Sequence, residues 1–239
     1  FKNNIFSGTG NNNFSPYAPM TRAMFVTVLG RIAGIGSDYP IQEGLFSDVK
    51  SDAYYAPYVM WAAEKGIARG IGNSRFDPDS LVTREQMAVF TVRFFDAYGI
   101  PYPESTPKKA PADFDHIADY ARDAVMKLWN SGLLVGDEQG NFNPGDNAIR
   151  AEAATFARRI YNTVSSFWES TQEQDQNTEA NPDSDTDSDT DSNTGSEPGW
   201  SAEYYSIKFI TNGGGNIETQ WRPKGSMLRN LPIPYKGNE

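Results

Sequence analysis

The chain has 239 residues, no cysteine and a formal net charge of −10 at pH 7, so a disulfide framework and a thiolate metal site are excluded. Residues 169–198 contain ten acidic residues and no basic one, and neither flank has the basic field that nucleic acids require, which excludes a nucleic-acid-binding protein. No apolar run approaches the ~18 residues that span a bilayer, and we expect no membrane span.

One pattern of residues recurs three times, with offsets of 62 and 66 residues between successive copies. The recurring positions are Gly8, Gly70 and Gly136; Phe14, Phe76 and Phe142; Pro16, Pro78 and Pro144; and Arg22, Arg84 and Arg150. Four residue types in one register predict a repeat architecture in which each complete unit reads helix, glycine-rich loop, helix.

Unit one, residues 1–38, is incomplete. Only the tail of its first helix remains, at residues 1–5, so we expect a fragment that begins within a repeat. Phe25, Leu29 and Ile32 lie at helical spacing and predict one apolar face for its second helix.

Unit two, residues 39–103, contains both helices. Pro57 stands early in the first helical pattern, where a missing N–H is tolerated, and Gly66 follows its last turn as a C-cap. Thr83 with Gln86 predicts a capping box, which places Arg84 at the first position of the second helix.

Unit three, residues 104–168, departs from the pattern at its second helix, where Ile149 replaces the capping threonine. Its first helix is predicted from Val125 and Trp129, with Gly132 as the stop. His116 is the only histidine, and no base or nucleophile is spaced to act with it, so we expect a surface residue.

The remaining chain has a different composition. Residues 169–199 have no apolar periodicity and predict an acidic disordered linker. Within it, residues 189–195 resemble a calcium loop, but Thr194 takes the place of the glycine, which favours a plain acidic linker. Residues 200–239 predict a small truncated β segment, because alternation over residues 205–211 is followed by a glycine turn.

The motifs of unit two are "FSDV" (46–49), "GIG" (70–72), "FDP" (76–78) and "TREQ" (83–86). Unit one has "GTG", "FSP" and "TRAM", and unit three has "FDHI", "FNP" and "IRAE". Over about residues 1–165 this pattern resembles the S-layer homology (SLH) family, and the tail from Tyr205 resembles the start of an internalin-type β-repeat.

The SLH resemblance implies a mainly α, pseudo-threefold fold: a central helix bundle with three prongs. It also implies grooves between the prongs that bind secondary cell-wall polysaccharide, a peptidoglycan-linked glycan often bearing pyruvyl ketals. The chain would then lie outside the cell, on the cell wall, with surface-layer lattice proteins as possible partners. No cofactor is expected.

A cation at the first position of a helix opposes the helix macrodipole, so three such arginines indicate a role beyond helix stability. Free N–H groups at a helix start together with a guanidinium can bind a carboxylate, which a pyruvyl ketal supplies. The alternative is a structural arginine paired with a neighbouring acid or a loop carbonyl. The residues expected at the polysaccharide are Arg22, Arg84, Arg150, Thr21, Thr83, Glu152, Gly8, Gly70, Gly136, Asp48 and Trp61.

Several of these residues have a second interpretation. Gly70 and Gly136 allow either the approach of a saccharide or simple turn geometry. Asp48 could bind sugar hydroxyls or cap the following turn. Trp61 could form a stacking wall for a sugar or lie in the core. Unit three also has Glu138 in place of the second glycine of G-x-G, which makes its groove the least secure.

Three functions follow from these patterns. The first is a non-catalytic module that anchors a larger surface protein to wall polysaccharide. The second is the wall tether of a surface polysaccharide hydrolase whose catalytic domain lies outside these residues, since no paired carboxylates, triad or metal cluster is found. The third is part of a lattice protein or an adhesin. For the first, we expect Arg84→Ala to weaken wall binding while helix content is kept.

Overall fold

The computed structural model describes residues 5–106, 109–178, 204–207 and 220–223. The chain divides into two compact units, Phe1–Ala180 and Asn181–Glu239. The first contains five α-helices, in chain order α1 (Arg22–Ile32), α2 (Ala56–Glu64), α3 (Arg84–Tyr98), α4 (Arg122–Asn130) and α5 (Arg150–Thr178). A short 3₁₀ turn, Phe114–His116, precedes α4. The chain is therefore mainly α, as predicted.

The starts of the second helices follow the local sequence. Thr21 Oγ1 accepts the N–H of Met24 at the start of α1. The predicted capping box of α3 is confirmed, because Thr83 Oγ1 accepts the Gln86 N–H while the Gln86 side chain accepts the Thr83 N–H. In α5, Glu152 accepts the N–H of residue 149, so half of the box survives without the threonine.

The first helices also begin and end as predicted. Pro57 lies in the first turn of α2. Gly66 and Gly132, each two residues beyond a helix end, adopt φ of +68° and +76°, a region that glycine enters without strain.

A ring of backbone hydrogen bonds joins the three units. Met20 donates to the carbonyl of Ala148 (2.8 Å), Ala148 donates to Val82 (3.0 Å), and Val82 donates back to Met20 (3.0 Å). These three residues occupy the same position in each unit, at the recurring offsets of 62 and 66 residues. The ring brings the first and last units into contact, and it closes the pseudo-threefold arrangement.

The core lies along the helices that follow this ring. Helix α1 packs on α2, α3 and α5, and α3 packs on α4. The rings of Phe25 and Phe156 stack nearly parallel, with centroids 6.4 Å apart, and join α1 to α5. Central helices joined in this way, with α2 and α4 outside them, are the bundle and prongs that the SLH resemblance implies.

The last helix extends further towards the C-terminus than predicted. Residues 169–178, predicted as linker, are helical, because α5 continues to Thr178. No proline or glycine interrupts this stretch, and an established helix extends easily through glutamate and glutamine. The rest of the predicted linker, including residues 189–195, lies outside the described residues. In the second unit, β1 (Tyr204–Ile207) pairs antiparallel with β2 (Gln220–Pro223).

Candidate functional site

The three recurring arginines connect the units. Each begins its helix, as predicted, and its Nε donates to the carbonyl of the F-x-P phenylalanine of another unit. The pairs are Arg22 with Phe76 (3.2 Å), Arg84 with Phe142 (2.8 Å) and Arg150 with Phe14 (2.8 Å). Each guanidinium also lies over the ring of that phenylalanine, at 5.0, 5.3 and 4.8 Å from its centroid. Phenylalanine and arginine thus recur in the sequence because each unit makes the same arginine–phenylalanine contact with another unit, and the three contacts form a ring.

These arginine side chains are largely buried, whereas a binding site for an external carboxylate needs an accessible guanidinium. Arg22 and Arg150 are each 7% exposed, and the side chain of Arg84 is 15% exposed. Arg22 also donates to the carbonyl of Arg69, and Arg150 to that of Ser7. Such hydrogen bonds to loop carbonyls agree with the alternative interpretation from the sequence, in which these arginines have a structural role. The expectation that Arg84→Ala leaves the fold unperturbed is therefore revised: we expect it to destabilise the unit as well.

The backbone N–H groups at the helix starts are not free. The first N–H of α1, α3 and α5 donates to a loop carbonyl of another unit, at 2.9–3.0 Å, as does the second, at 2.9–3.1 Å. The prediction that these groups bind a carboxylate is therefore wrong. Closure of the ring, which no single unit encodes, places acceptors in front of them. A carboxylate could approach the guanidinium Nη atoms instead.

A groove of about 400 Å³ lies beside Arg84. We call it the Arg84 groove; Gly136, Glu152 and Arg159 are among the residues that line it. The carboxylate of Glu152 lies 3.3 Å from Arg84 Nη1, and Asp137 and Asp146 also line the groove. The predicted residues Arg84, Gly136 and Glu152 are therefore brought together, in surroundings that are not basic.

A second groove, of about 540 Å³, lies beside Arg150. We call it the Arg150 groove; Gly8, Met24, Arg31 and Tyr54 are among its lining residues. Among the described residues, its lining contains two arginines and no aspartate or glutamate. Gly8 and Arg150, predicted from separate units, thus meet in one groove.

A further set of arginines was missed in the sequence. Arg31, Arg93 and Arg159 keep the same offsets of 62 and 66 residues, so the register alone could have identified them. Arg31 Nη1 donates to the carbonyl of Ile5 (3.2 Å) and Arg159 Nη1 to that of Leu133 (3.3 Å), which are equivalent positions. Each of the two grooves therefore contains two guanidinium groups, one from each adjoining unit.

The recurring glycines allow the backbone of the loop to fold closely on itself. A Cβ added at Gly8, Gly70 or Gly136 would come within 2.7–2.9 Å of a loop carbonyl oxygen, closer than real Cβ contacts. This close approach accounts for the glycines by turn geometry, the second of the two interpretations. Thr21 and Thr83 act as helix caps, so their hydroxyl oxygens already accept a backbone N–H.

Asp48 holds the F-x-P loop. Its two carboxylate oxygens accept the N–H groups of Phe76 and Asp77, each at 2.8 Å, which corresponds to the capping interpretation. In unit three, Asp113 makes the same pair of bonds to residues 142 and 143, at 2.7 Å. The equivalent of "FSD" is thus residues 111–113, and the alignment of "FDHI" with "FSDV" was wrong by three residues. The correct alignment of the two units is therefore given by the aspartate that holds the F-x-P loop, and not by the phenylalanine of "FDHI".

Replacing Asp48 should destabilise the helical part of the chain, residues 1–180. Burial raises the pKa of this carboxyl, but the two N–H donors and Arg75 outweigh it and hold the pKa below 3.8. The carboxylate therefore stabilises the fold fully above the unfolded pKa, and this contribution is lost as pH falls through the folded pKa. We expect Asp48→Asn to reduce the free energy of unfolding by about 2 kcal/mol at pH 7. In urea titrations the difference in unfolding free energy between Asp48→Asn and the wild type should shrink below about pH 4. Asp52→Asn, at an exposed site, is the control and should unfold at the same urea concentration as the wild type at pH 7.

Trp61 does not form a wall for a sugar. Its side chain is 0% exposed, and its indole N–H donates to the hydroxyl of Tyr98 (2.8 Å). The residue is on the inner face of α2, so the core interpretation is correct and the prediction of a binding role is wrong. His116 is exposed, as expected. Within the described residues no helix could cross a membrane, and no group of three or more His, Cys, Asp or Glu side chains could hold a metal.

Comparison with known proteins agrees with this fold. The profile of the S-layer homology domain matches residues 1–24, 45–88 and 112–154. An endoglucanase of Bacillus sp. (strain KSM-635) is 32% identical over 169 residues, which cover 70% of this chain and 17% of that protein. The surface-layer 125 kDa protein of Lysinibacillus sphaericus is 26% identical over 66% of this chain and 13% of its own length. The cellulosome-anchoring protein of Acetivibrio thermocellus is 22% identical, over 61% of this chain and 33% of its own length.

The chain thus spans a minor part of each of these relatives. The matched family is an anchoring domain, and the matched segments are non-catalytic. The same matches place the chain at the cell surface, in association with the cell wall. Residues 1–24, 45–88 and 112–154 are thus three successive repeats of the S-layer homology domain family, and they close into one threefold arrangement.

Proposed function

We propose that this chain anchors a larger surface protein to the cell wall by binding an acidic wall polysaccharide, with pyruvyl ketals as the charged group. The observation that carries the proposal is a groove in which guanidinium groups of two adjoining units lie together, as those of Arg150 and Arg31 do. A guanidinium binds a carboxylate through two parallel hydrogen bonds, which gives both affinity and orientation. The grooves, of about 400 and 540 Å³, have the size of sites for small ligands.

The proposal is tested by sedimentation of the full chain with purified walls of the organism that encodes it. Walls would be compared before and after removal of pyruvyl groups by mild acid. Loss of a charge-assisted pair should weaken binding roughly 10- to 100-fold. Equal binding to both preparations would remove the carboxylate from the proposal while leaving wall anchoring in place. Absence of binding to native walls would overturn the proposal as a whole.

A second proposal concerns the anchored protein. Three relatives that match this region are named as an endoglucanase, an amylopullulanase and an exoglucanase. These names favour a surface polysaccharide hydrolase, held at the wall by the present segment, as an alternative to a lattice protein. The complete sequence of the parent gene decides between them, since a glycosidase domain would be present in the first case.

A further inference from the structure

The two grooves are built from equivalent positions but differ in charge. Position 152 contributes a glutamate to the Arg84 groove, and its equivalent in the Arg150 groove is Met24. Glu152 Oε1 lies 3.3 Å from Arg84 Nη1 and so supplies that arginine with an anion from the protein itself. Met24 offers Arg150 no such partner. The difference between Glu152 and Met24 therefore leaves Arg84 with a carboxylate partner and Arg150 without one among the described residues.

Arg150 has no carboxylate within ion-pair distance among the described residues, although it is 7% exposed. Its Nε and Nη2 donate to the carbonyls of Phe14 and Ser7, whereas Nη1 makes no hydrogen bond in this part of the chain. Burial lowers the pKa of Arg150, and Tyr54 is the group that opposes this shift. Because arginine stays protonated in proteins, the buried cation has no anionic partner in the part of the chain that the structure describes.

The other side of the Arg150 groove supplies a second cation and an aromatic face. Arg31 lies in the groove lining, with its Nη1 held by the carbonyl of Ile5 and the hydroxyl of Ser7. Tyr54 is 57% exposed at the same groove, and its ring packs edge-on against that of Tyr55, with centroids 5.2 Å apart. A fixed, exposed aromatic ring beside two guanidinium groups suits a sugar that carries a carboxylate.

The Arg22 position has an equivalent pair of arginines, Arg22 and Arg93, beside the exposed ring of Tyr120, but the carboxylate of Glu85 lies with them. Arg22 lies between the rings of Phe76 and Phe90, and the charges of Asp77 and Asp48 act on it. Tyr120, the equivalent of Tyr54, donates its hydroxyl to the carboxylate of Glu85. Carboxylates of the protein therefore act electrostatically at this position, although none forms an ion pair with Arg22 among the described residues.

We propose that the acidic sugar binds in the Arg150 groove rather than the Arg84 groove, with Arg150 and Arg31 holding its carboxylate and Tyr54 packing against its ring. This inference rests on the proposed function and makes it specific. The Arg84 groove and the Arg150 groove are then not equivalent, and the residue at position 24 or 152 determines which of the two binds an anion.

The test uses the full chain, native walls and two matched pairs of variants. Met24→Glu adds the missing carboxylate to the Arg150 groove and completes a capping box with Thr21, so the helix should not be weakened. Glu152→Met removes the carboxylate from the Arg84 groove. We expect Met24→Glu to weaken wall binding at least about tenfold and Glu152→Met to leave it undiminished. Arg31→Gln should cause a loss of similar size, and the equivalent Arg159→Gln should stay within about twofold.

Binding of the wild-type chain to native and to pyruvyl-depleted walls distinguishes failure of the proposed function from failure of the assignment to the Arg150 groove. If the wild type discriminates between the walls but Arg31→Gln and Arg159→Gln lose affinity equally, the assignment to one groove is wrong and the proposed function stands. If Met24→Glu binds as well as the wild type, the same assignment is overturned. If the wild type binds both walls equally, the acidic sugar is wrong, and the inference falls with it. Circular dichroism of each variant ensures that only folded chains are compared.

Discussion

Arg150→Ala is expected to reduce the free energy of unfolding of the chain by about 3 kcal/mol. Its Nε and Nη2 bonds, at 2.8 and 2.7 Å, connect α5 to the loops of the first unit across 136 and 143 residues of sequence. Alanine would leave two carbonyls without their donors and would remove the cation from above the ring of Phe14. Since this contact closes the ring of three units, the loss should appear as a lower urea midpoint of the whole helical signal.

Two further variants distinguish the hydrogen bonds of Arg150 between the units from general effects of its charge. Arg158→Ala removes an exposed arginine from the same helix and should change the unfolding free energy by less than about 0.5 kcal/mol. Arg150→Lys keeps the charge but cannot reproduce both bonds, so we expect an intermediate loss. A loss below about 1 kcal/mol for Arg150→Ala would show that the arginine does not hold the units together.

Trp61→Ala is expected to cost about 3–5 kcal/mol, since it empties a fully buried site between α2 and α3. The indole meets the ring of Phe94 edge-on at 6.0 Å and donates to Tyr98, so a cavity and an unpaired hydroxyl would both remain. The measurement is urea unfolding followed by helical circular dichroism.

The exposed tyrosine Tyr17, 84% accessible, provides the control: Tyr17→Ala should be within about 0.5 kcal/mol of the wild type. Wall binding by the folded fraction of Trp61→Ala should be unchanged, because the indole faces the core. A stable Trp61→Ala chain that no longer binds walls would reinstate the tryptophan as a sugar contact and contradict its assignment to the core.

Local features of the fold could be predicted from the sequence. The capping box of Thr83 and Gln86, the early proline of α2 and the glycines that follow α2 and α4 each act within a few residues of chain. The repeat register also predicted that three units share one plan. Such features need no knowledge of distant contacts, because the groups that satisfy each other are close in sequence.

The partners of the recurring arginines could not be predicted in the same way. Whether Arg150 meets a carbonyl or a free carboxylate depends on the closure that brings it to residues 7 and 14. The same closure occupies the helix-start N–H groups that sequence reasoning left free for a ligand. The three-residue error at "FDHI" has a similar origin, since the carboxylate of Asp113 is recognised only by the loop that it holds.

The grooves show which sequence signal carries information about binding. Unit one has Met24 where unit three has Glu152, and in the fold this difference leaves Arg150 without a carboxylate partner among the described residues. A second signal, the register of Arg31, Arg93 and Arg159, was available and was not used. In the C-terminal part, the change to an acidic composition marked the linker ten residues before α5 ends.

Recognition of an acidic sugar is tested most directly by the affinity of the full chain for soluble polysaccharide released from native walls. This affinity would be measured by calorimetry with the pyruvyl groups intact and after their removal. We expect the affinity to fall roughly 10- to 100-fold when the carboxylates are removed, and Met24→Glu to produce a comparable fall on the intact polymer. Undiminished affinity for the uncharged polymer would contradict the recognition of an acidic sugar by the groove arginines.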